Sequence, residues 1–187
     1  GYRADKHGIT GFVEPLADNS GMRPVSSTSR KVKAIWNILH QNELKSKVVG
    51  WWPSNPVEPI NGVMVSNLYQ QATKGKIKDW KMPSGTVHPI ELEDKLASLR
   101  VHPYEITAEH MLPFVPKLDE LDGKTDRTFK GIAKILANAA SIHSASTYLQ
   151  RETDWDFMAV YHDAIDHFSH LCMKFHPPHR PGIPEDR

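Results

Sequence analysis

The chain predicts an α/β fold in which a peripheral helical region separates two sheet-forming segments. Three observations predict it. An apolar helical stripe is followed closely by the strand-like run Val48-Val49-Gly50-Trp51-Trp52, which together make half of a βαβ unit. A second strand-like run, Trp155-Asp156-Phe157-Met158-Ala159-Val160-Tyr161, comes late in the chain. Between the two lie helical patterns joined by polar, proline-punctuated connections. A length of 187 residues suffices for one α/β domain with a real core, or for one and a half smaller units.

Taken in order, residues 1–29 carry glycine, proline and serine with few periodic apolar positions, which predicts surface loop. Ser26-Ser27-Thr28-Ser29 offers N-caps. Val32, Ile35, Trp36 and Leu39 then fall at i, i+3, i+4 and i+7, one buried helical face, with Arg30, Lys31, Lys33 and Asn37 on the wet side. After the first strand, Pro53, Pro56 and Pro59 hold the chain in loop conformation. Gly62 to Ser66 reads as a short strand or as a loop packed across the sheet.

From Leu68 to Pro89 the composition is polar and lysine-rich, punctuated by Gly75, Pro83 and Gly85. Pro89 suits a helix N1 position, with Glu91, Glu93 and Asp94 near the first turn and Leu92, Leu96 and Leu99 as the stripe. A short helix starts at Thr107 and stops before Pro113. The clearest helix is capped around Thr125 or Asp126. Phe129, Ile132, Leu136, Ala139, Ile142 and Leu149 mark its inner face, and Ala133, Ala137, Ala140 and Ala145 allow close packing. The expected organisation is a core α/β part at 1–66, a peripheral helical insert at 67–150, and a core strand with a ligand loop and tail at 151–187.

Composition removes several function classes. A net charge of +1 leaves no electrostatic footprint for a nucleic acid polymer or an anionic membrane. No apolar run approaches the roughly 20 residues that span a bilayer. The single cysteine, Cys172, excludes an internal disulfide and a multi-cysteine zinc site. Lying between Leu171 and Met173, it suits a packed thiol better than a reactive one.

The 11 histidines are unevenly spread, and His162, His167, His170, His176 and His179 crowd the C-terminal stretch. In the segment His162-Asp163-Ala164-Ile165-Asp166-His167-Phe168-Ser169-His170, a carboxylate and an imidazole stand four residues apart just past a strand end. Both side chains suit a zinc-like cation. Spacing leaves two pairs open, Asp163/His167 and Asp166/His170, and equally allows helix-starting acids beside solvated histidines. Either pair needs partners from elsewhere, since a catalytic zinc takes three protein ligands. The stretch Lys174 to His179 reads as a solvated tail, and His143 as a helix-surface or satisfied core histidine.

The run Tyr161 to His170 resembles the metal-binding motif of the type I phosphodiesterase/nucleotide pyrophosphatase branch of the alkaline phosphatase superfamily, often written Asp-x-x-Gly-His. Asp166 matches its Asp and His170 its His, with Ser169 where many members have glycine. Asp163 and His167 then become neighbours of the ligands. Asp5-Lys6-His7-Gly8-Ile9-Thr10-Gly11-Phe12 is similar to the family's His-Gly-Ile segment, and residues 30–62 resemble the helix and strand that follow it. The resemblance covers roughly residues 1–66 and 151–180 and implies an alkaline-phosphatase-like mixed or parallel sheet flanked by helices.

It also implies hydrolysis of a small-molecule phosphate ester by a two-metal mechanism, with two zinc ions or, alternatively, manganese. The nucleophilic Thr or Ser, a first metal-binding Asp and the remaining ligands have no match here. The chain, opening Gly1-Tyr2-Arg3, is therefore expected to be an internal fragment, inactive alone. Sulfatase-like or phosphomutase-like members of the superfamily are alternatives, as is a non-catalytic partner-binding module. Trp51, Trp52 and Trp80 are candidates for stacking on a base, with buried packing the favoured reading for the first two.

Overall fold

The computed structural model describes residues 1–71, 77–115, 117–118, 127–178 and 181–182. The expected cap at Thr125 or Asp126, and also Gly75 and His179, lie outside the described residues. The chain forms two compact units. The first comprises Gly1–Tyr69, Lys81–Leu99 and Ala145–Tyr161, and the second Gln70–Trp80, Arg100–Ser144 and His162–Arg187.

The first unit is built on a four-stranded mixed sheet with strand order β5-β4-β3-β6. Strand β3 (Ser46–Val49) pairs in parallel with β4 (Gly62–Val65) on one side and with β6 (Phe157–Val160) on the other. The two-residue strand β5 (Val87–His88) adds antiparallel to β4. Val48, Val49, Met64 and Val65 are wholly buried, as apolar runs are in parallel strands covered on both faces. Strand β3 stops at Val49 rather than running on to Trp52. Gly50 turns the chain at φ 75°, and Trp51 comes out to the surface. The open alternative at 62–66 resolves as a strand. Its first residue must be glycine, because Gly62 lies at φ +123° and a Cβ there would stand 2.1 Å from the Ser46 carbonyl oxygen.

Helix α2 (Ile35–Gln41) is shorter than its apolar stripe predicts. The Asn37 side chain accepts the Ala34 N–H at 2.8 Å, so the helix is capped at Ala34 and excludes Val32. Trp36 alone is fully buried, and Ile35 is 49% exposed. The expected wet side is only partly wet, since Arg30 forks onto both Glu58 oxygens at 2.7 Å and lies over the Trp36 ring.

Residues 1–29 correct the loop expectation. They hold a short helix, α1 (Ala4–His7), and a hairpin of β1 (Val13–Pro15) and β2 (Met22–Pro24). The hairpin's apolar positions, Val13 and Pro15 opposite Pro24 and Met22, stay exposed, and strands of three residues are too short to show a period. The hairpin is held by its ladder and by the Glu14–Arg23 ion pair at 2.8 Å. At Pro89 a 3-10 turn leads into α3 (Glu93–Ala97), which buries Leu96 as its stripe predicts.

In the second unit, α4 (Ala108–Met111) starts after Thr107 and ends before Pro113. Met111 joins Leu118, Ile132 and Ala133 in a core. Of the long helix α5 (Arg127–Glu152), the part in this unit buries Ile132, Ala133, Ala137 and Ile142, while His143 is exposed. Ala145 and Leu149, in the part assigned to the first unit, are buried too. Among the described residues, no helix is long and apolar enough to cross a membrane.

Candidate functional site

The predicted ligand loop is a helix. Three residues past Val160, α6 runs Ala164–Cys172, with Asp163 at its N-cap position. The reason is an apolar stripe hidden among the acids and imidazoles: Ala164, Phe168, Leu171 and Cys172 fall at i, i+4, i+7 and i+8. Phe168, Leu171 and Cys172 pack against the Met111–Leu118–Ile132–Ala133 core. Phe168 stacks on Phe114, with ring centroids 5.1 Å apart. Leu171 packs close against Gly131, where a Cβ would stand 2.7 Å from its Cδ2.

With that side fixed in the core, the opposite face carries Asp163, Asp166, His167 and His170 toward water. Residues four apart on a helix are neighbours. Asp166 Oδ1 lies 3.4 Å from His170 Nε2, and their side chains are 68% and 80% exposed. Asp163 Oδ2 lies 3.2 Å from His167 Nε2, with both side chains less exposed. Acids in the first turn and an imidazole in the last also complement the helix dipole.

The helix thus brings together both pairs that spacing left open. Two donors each about 2.0–2.2 Å from a tetrahedral ion stand roughly 3.4 Å apart, so the Asp166–His170 separation suits a shared cation. Carboxylate oxygen and imidazole nitrogen are a fitting donor set. Among the described residues no group of three His, Cys, Asp or Glu side chains is placed to hold a metal ion.

The other singled-out residues fall as follows. His7 Nδ1 accepts the Ile9 N–H at 3.1 Å, and Gly8 turns at φ +81° beneath the Lys31 stem, so His7-Gly8-Ile9 is a compact turn. The Cys172 thiol is pushed up by burial, as a packed thiol should be. His176 Nδ1 contacts the Pro177 carbonyl at 2.6 Å. Trp80 is already engaged, with the Arg100 guanidinium 4.0 Å from its ring centre and His102 edge-on to it.

Trp51 corrects the expectation of buried packing. It is 36% exposed, its ring 5.6 Å from that of Tyr161. The two follow the carboxyl ends of the adjacent parallel strands β3 and β6, the edge where ligands gather in open α/β sheets. Trp52 pairs with the exposed Phe12 at 5.0 Å. Sequence reasoning does not single out Phe12 or Tyr161 for stacking, although Tyr161 directly follows β6 and Phe12 directly precedes β1.

The fold defines a mixed-sheet α/β protein whose ligand-type side chains follow a parallel strand in the chain. The family model for type I phosphodiesterase / nucleotide pyrophosphatase matches residues 1–185, and the chain belongs to that family. Membership places it among phosphoric ester hydrolases of the phosphodiesterase and pyrophosphatase kind. Comparison with curated proteins and with solved structures finds no match.

Proposed function

We propose that this chain is part of a metal-dependent phosphodiesterase or nucleotide pyrophosphatase in which Asp166 and His170 hold one divalent cation. The observation that carries the reading is the Asp166–His170 pair, 3.4 Å apart on the wet face of a helix whose other face is locked in a core. Asp166 contributes an anionic oxygen and His170 a ring nitrogen. Phe168 and Leu171 fix the helix that carries both, so their backbone positions are set before a cation binds. Asp163 and His167, one turn back, are neighbours that shape the field around the pair.

The metal complement of this reading is two zinc ions, with manganese the alternative. Bound metal supplies Lewis-acid stabilisation of charge on the phosphoryl and leaving oxygens. The nucleophile is a Thr or Ser hydroxyl, assigned to polypeptide preceding Gly1, and the substrate is a small phosphate ester.

Two measurements test this. In the full-length protein, metal content by mass spectrometry falls on His170→Ala and is kept on His167→Ala. The reverse result moves the ligand pair to Asp163 and His167. Residues 1–187 alone show no turnover of a nitrophenyl phosphodiester. Turnover that Asp166→Ala abolishes would refute the upstream nucleophile.

A further inference from the structure

The first unit holds an open cleft of about 470 Å³, lined by residues from 27 to 58, that the proposed chemistry does not use. Its lining is rich in donors and poor in free acceptors. Arg30, Lys31 and Lys33 bring three positive charges, and the one carboxylate in the wall is Glu58. That carboxylate is already occupied. It takes both contacts from the Arg30 guanidinium at 2.7 Å and the Trp36 indole N–H at 2.7 Å.

The arrangement also stiffens Arg30, whose Nε donates to the Val32 carbonyl at 3.0 Å while its plane lies over Trp36. His40 accepts the Asn61 N–H on Nδ1 at 2.9 Å, which leaves Nε2 as the proton-bearing nitrogen of its neutral ring. Lys33 Nζ reaches Gln41 at 2.7 Å. Another acid within reach of Lys31 is Glu14, on which Lys31 exerts a pull, and it is itself paired with Arg23. Adding Arg23 and Glu14 to the count leaves the neighbourhood two positive charges in excess.

We infer that this cleft is an anion site for a small multiply charged phosphate, a diphosphate group being the chemistry it fits best. A volume of about 470 Å³ has room for more than one phosphoryl group. The two exposed ammonium groups of Lys31 and Lys33, beside a guanidinium whose partner Glu58 is already taken up, suit phosphate oxygens. A nucleic acid polymer is a poor fit, since the whole chain carries only +1. The inference stands independently of the Asp166–His170 assignment.

Inorganic pyrophosphate is the probe, titrated calorimetrically into the chain in metal-free buffer with a chelator present. The expected result is saturable binding that weakens as salt is raised. Lys31→Glu combined with Lys33→Glu lowers affinity at least roughly tenfold, while Asp166→Asn with His170→Gln leaves it unchanged. Lys31 and Lys33 are exposed, so the charge-reversed variant keeps its fold, checked by circular dichroism. Absence of saturable binding overturns the site. So does binding that survives both lysine reversals, or binding lost in the Asp166/His170 variant.

Discussion

Lys47 and the acid–imidazole face of α6 place charge in opposite ways. Lys47 is fully buried on β3, and its Nζ donates to the carbonyls of Leu149 and Thr153, the latter at 2.6 Å. Those carbonyls sit at the C-terminal end of α5 and just beyond it, where a helix leaves its last C=O groups without partners and its dipole favours a cation. Trp155 offers its ring to the same ammonium. On α6 the carboxylates and imidazoles touch one another and water. A buried charge whose donors are all taken holds structure together. An exposed donor pair with lone pairs to spare is available to a ligand.

The largest expected effect tests the exposed side. Under the proposed assignment, His170→Ala in the full-length protein lowers the turnover number by orders of magnitude, as loss of a metal ligand would. The thermal midpoint barely moves, because an exposed helix position contributes little packing. The measurement is steady-state kinetics with zinc or manganese added back, beside a melt of the same variant. Near-normal turnover for His170→Ala breaks the comparison at its functional end.

On the buried side the pattern inverts. Lys47→Met strands two carbonyls and costs about 2–4 kcal/mol of stability by denaturant unfolding. Burial holds the Lys47 ammonium below lysine's ordinary range, against the upward pull of Asp154. With the folded-state value lowered, the unfolded chain binds more protons across that alkaline window. Native stability therefore rises with pH there relative to Lys47→Met. A variant as stable as the parent would mean that the buried ammonium is dispensable.

A smaller effect probes how α6 is aimed. Gly131→Ala gains roughly 0.5–1 kcal/mol of helix propensity. It drives a Cβ to 2.7 Å from Leu171 Cδ2, an overpacking worth about 1–3 kcal/mol. The net expectation is a loss of about 1 kcal/mol, read by chemical denaturation. A stabilised variant would show that α6 is seated more loosely than its contacts imply.

Legibility in the sequence follows the same division. Elements whose burial repeats locally were readable: Val48-Val49, the Ile132–Leu149 face, and the short helices after Thr107 and Pro89. Asp166 and His170 were readable as candidates because ligand chemistry and four-residue spacing are local too. What failed was non-local or masked by composition. The β1–β2 hairpin has strands of only three residues, each ending in proline, too short for their alternation to stand out. The α6 helix looked like a loop because its wet face outnumbers its four apolar positions. Lys47 meets carbonyls a hundred residues away, which no window along the chain can see.

Glu14 is the case between the two extremes, and it tests whether exposure alone decides a charge's role. Its carboxylate lies on the surface hairpin, yet it accepts the Ser29 hydroxyl at 2.8 Å and pairs with Arg23 at 2.8 Å. The Ser29 hydrogen bond is the largest cause holding the Glu14 carboxyl below its usual range; desolvation, the next largest, opposes it, and Arg23 and Lys31 add smaller downward pulls. A carboxylate depressed in the folded state contributes stability above its unfolded value and loses it as pH falls through the folded one. Removing the hydroxyl with Ser29→Ala should therefore raise the Glu14 titration midpoint, followed by carbon-detected NMR, and leave β1–β2 folded. Arg23→Gln should raise it less. An unmoved midpoint in Ser29→Ala, with a large rise in Arg23→Gln, would assign the depression to the ion pair. A surface carboxylate would then answer to its nearest opposite charge before its hydrogen bonds.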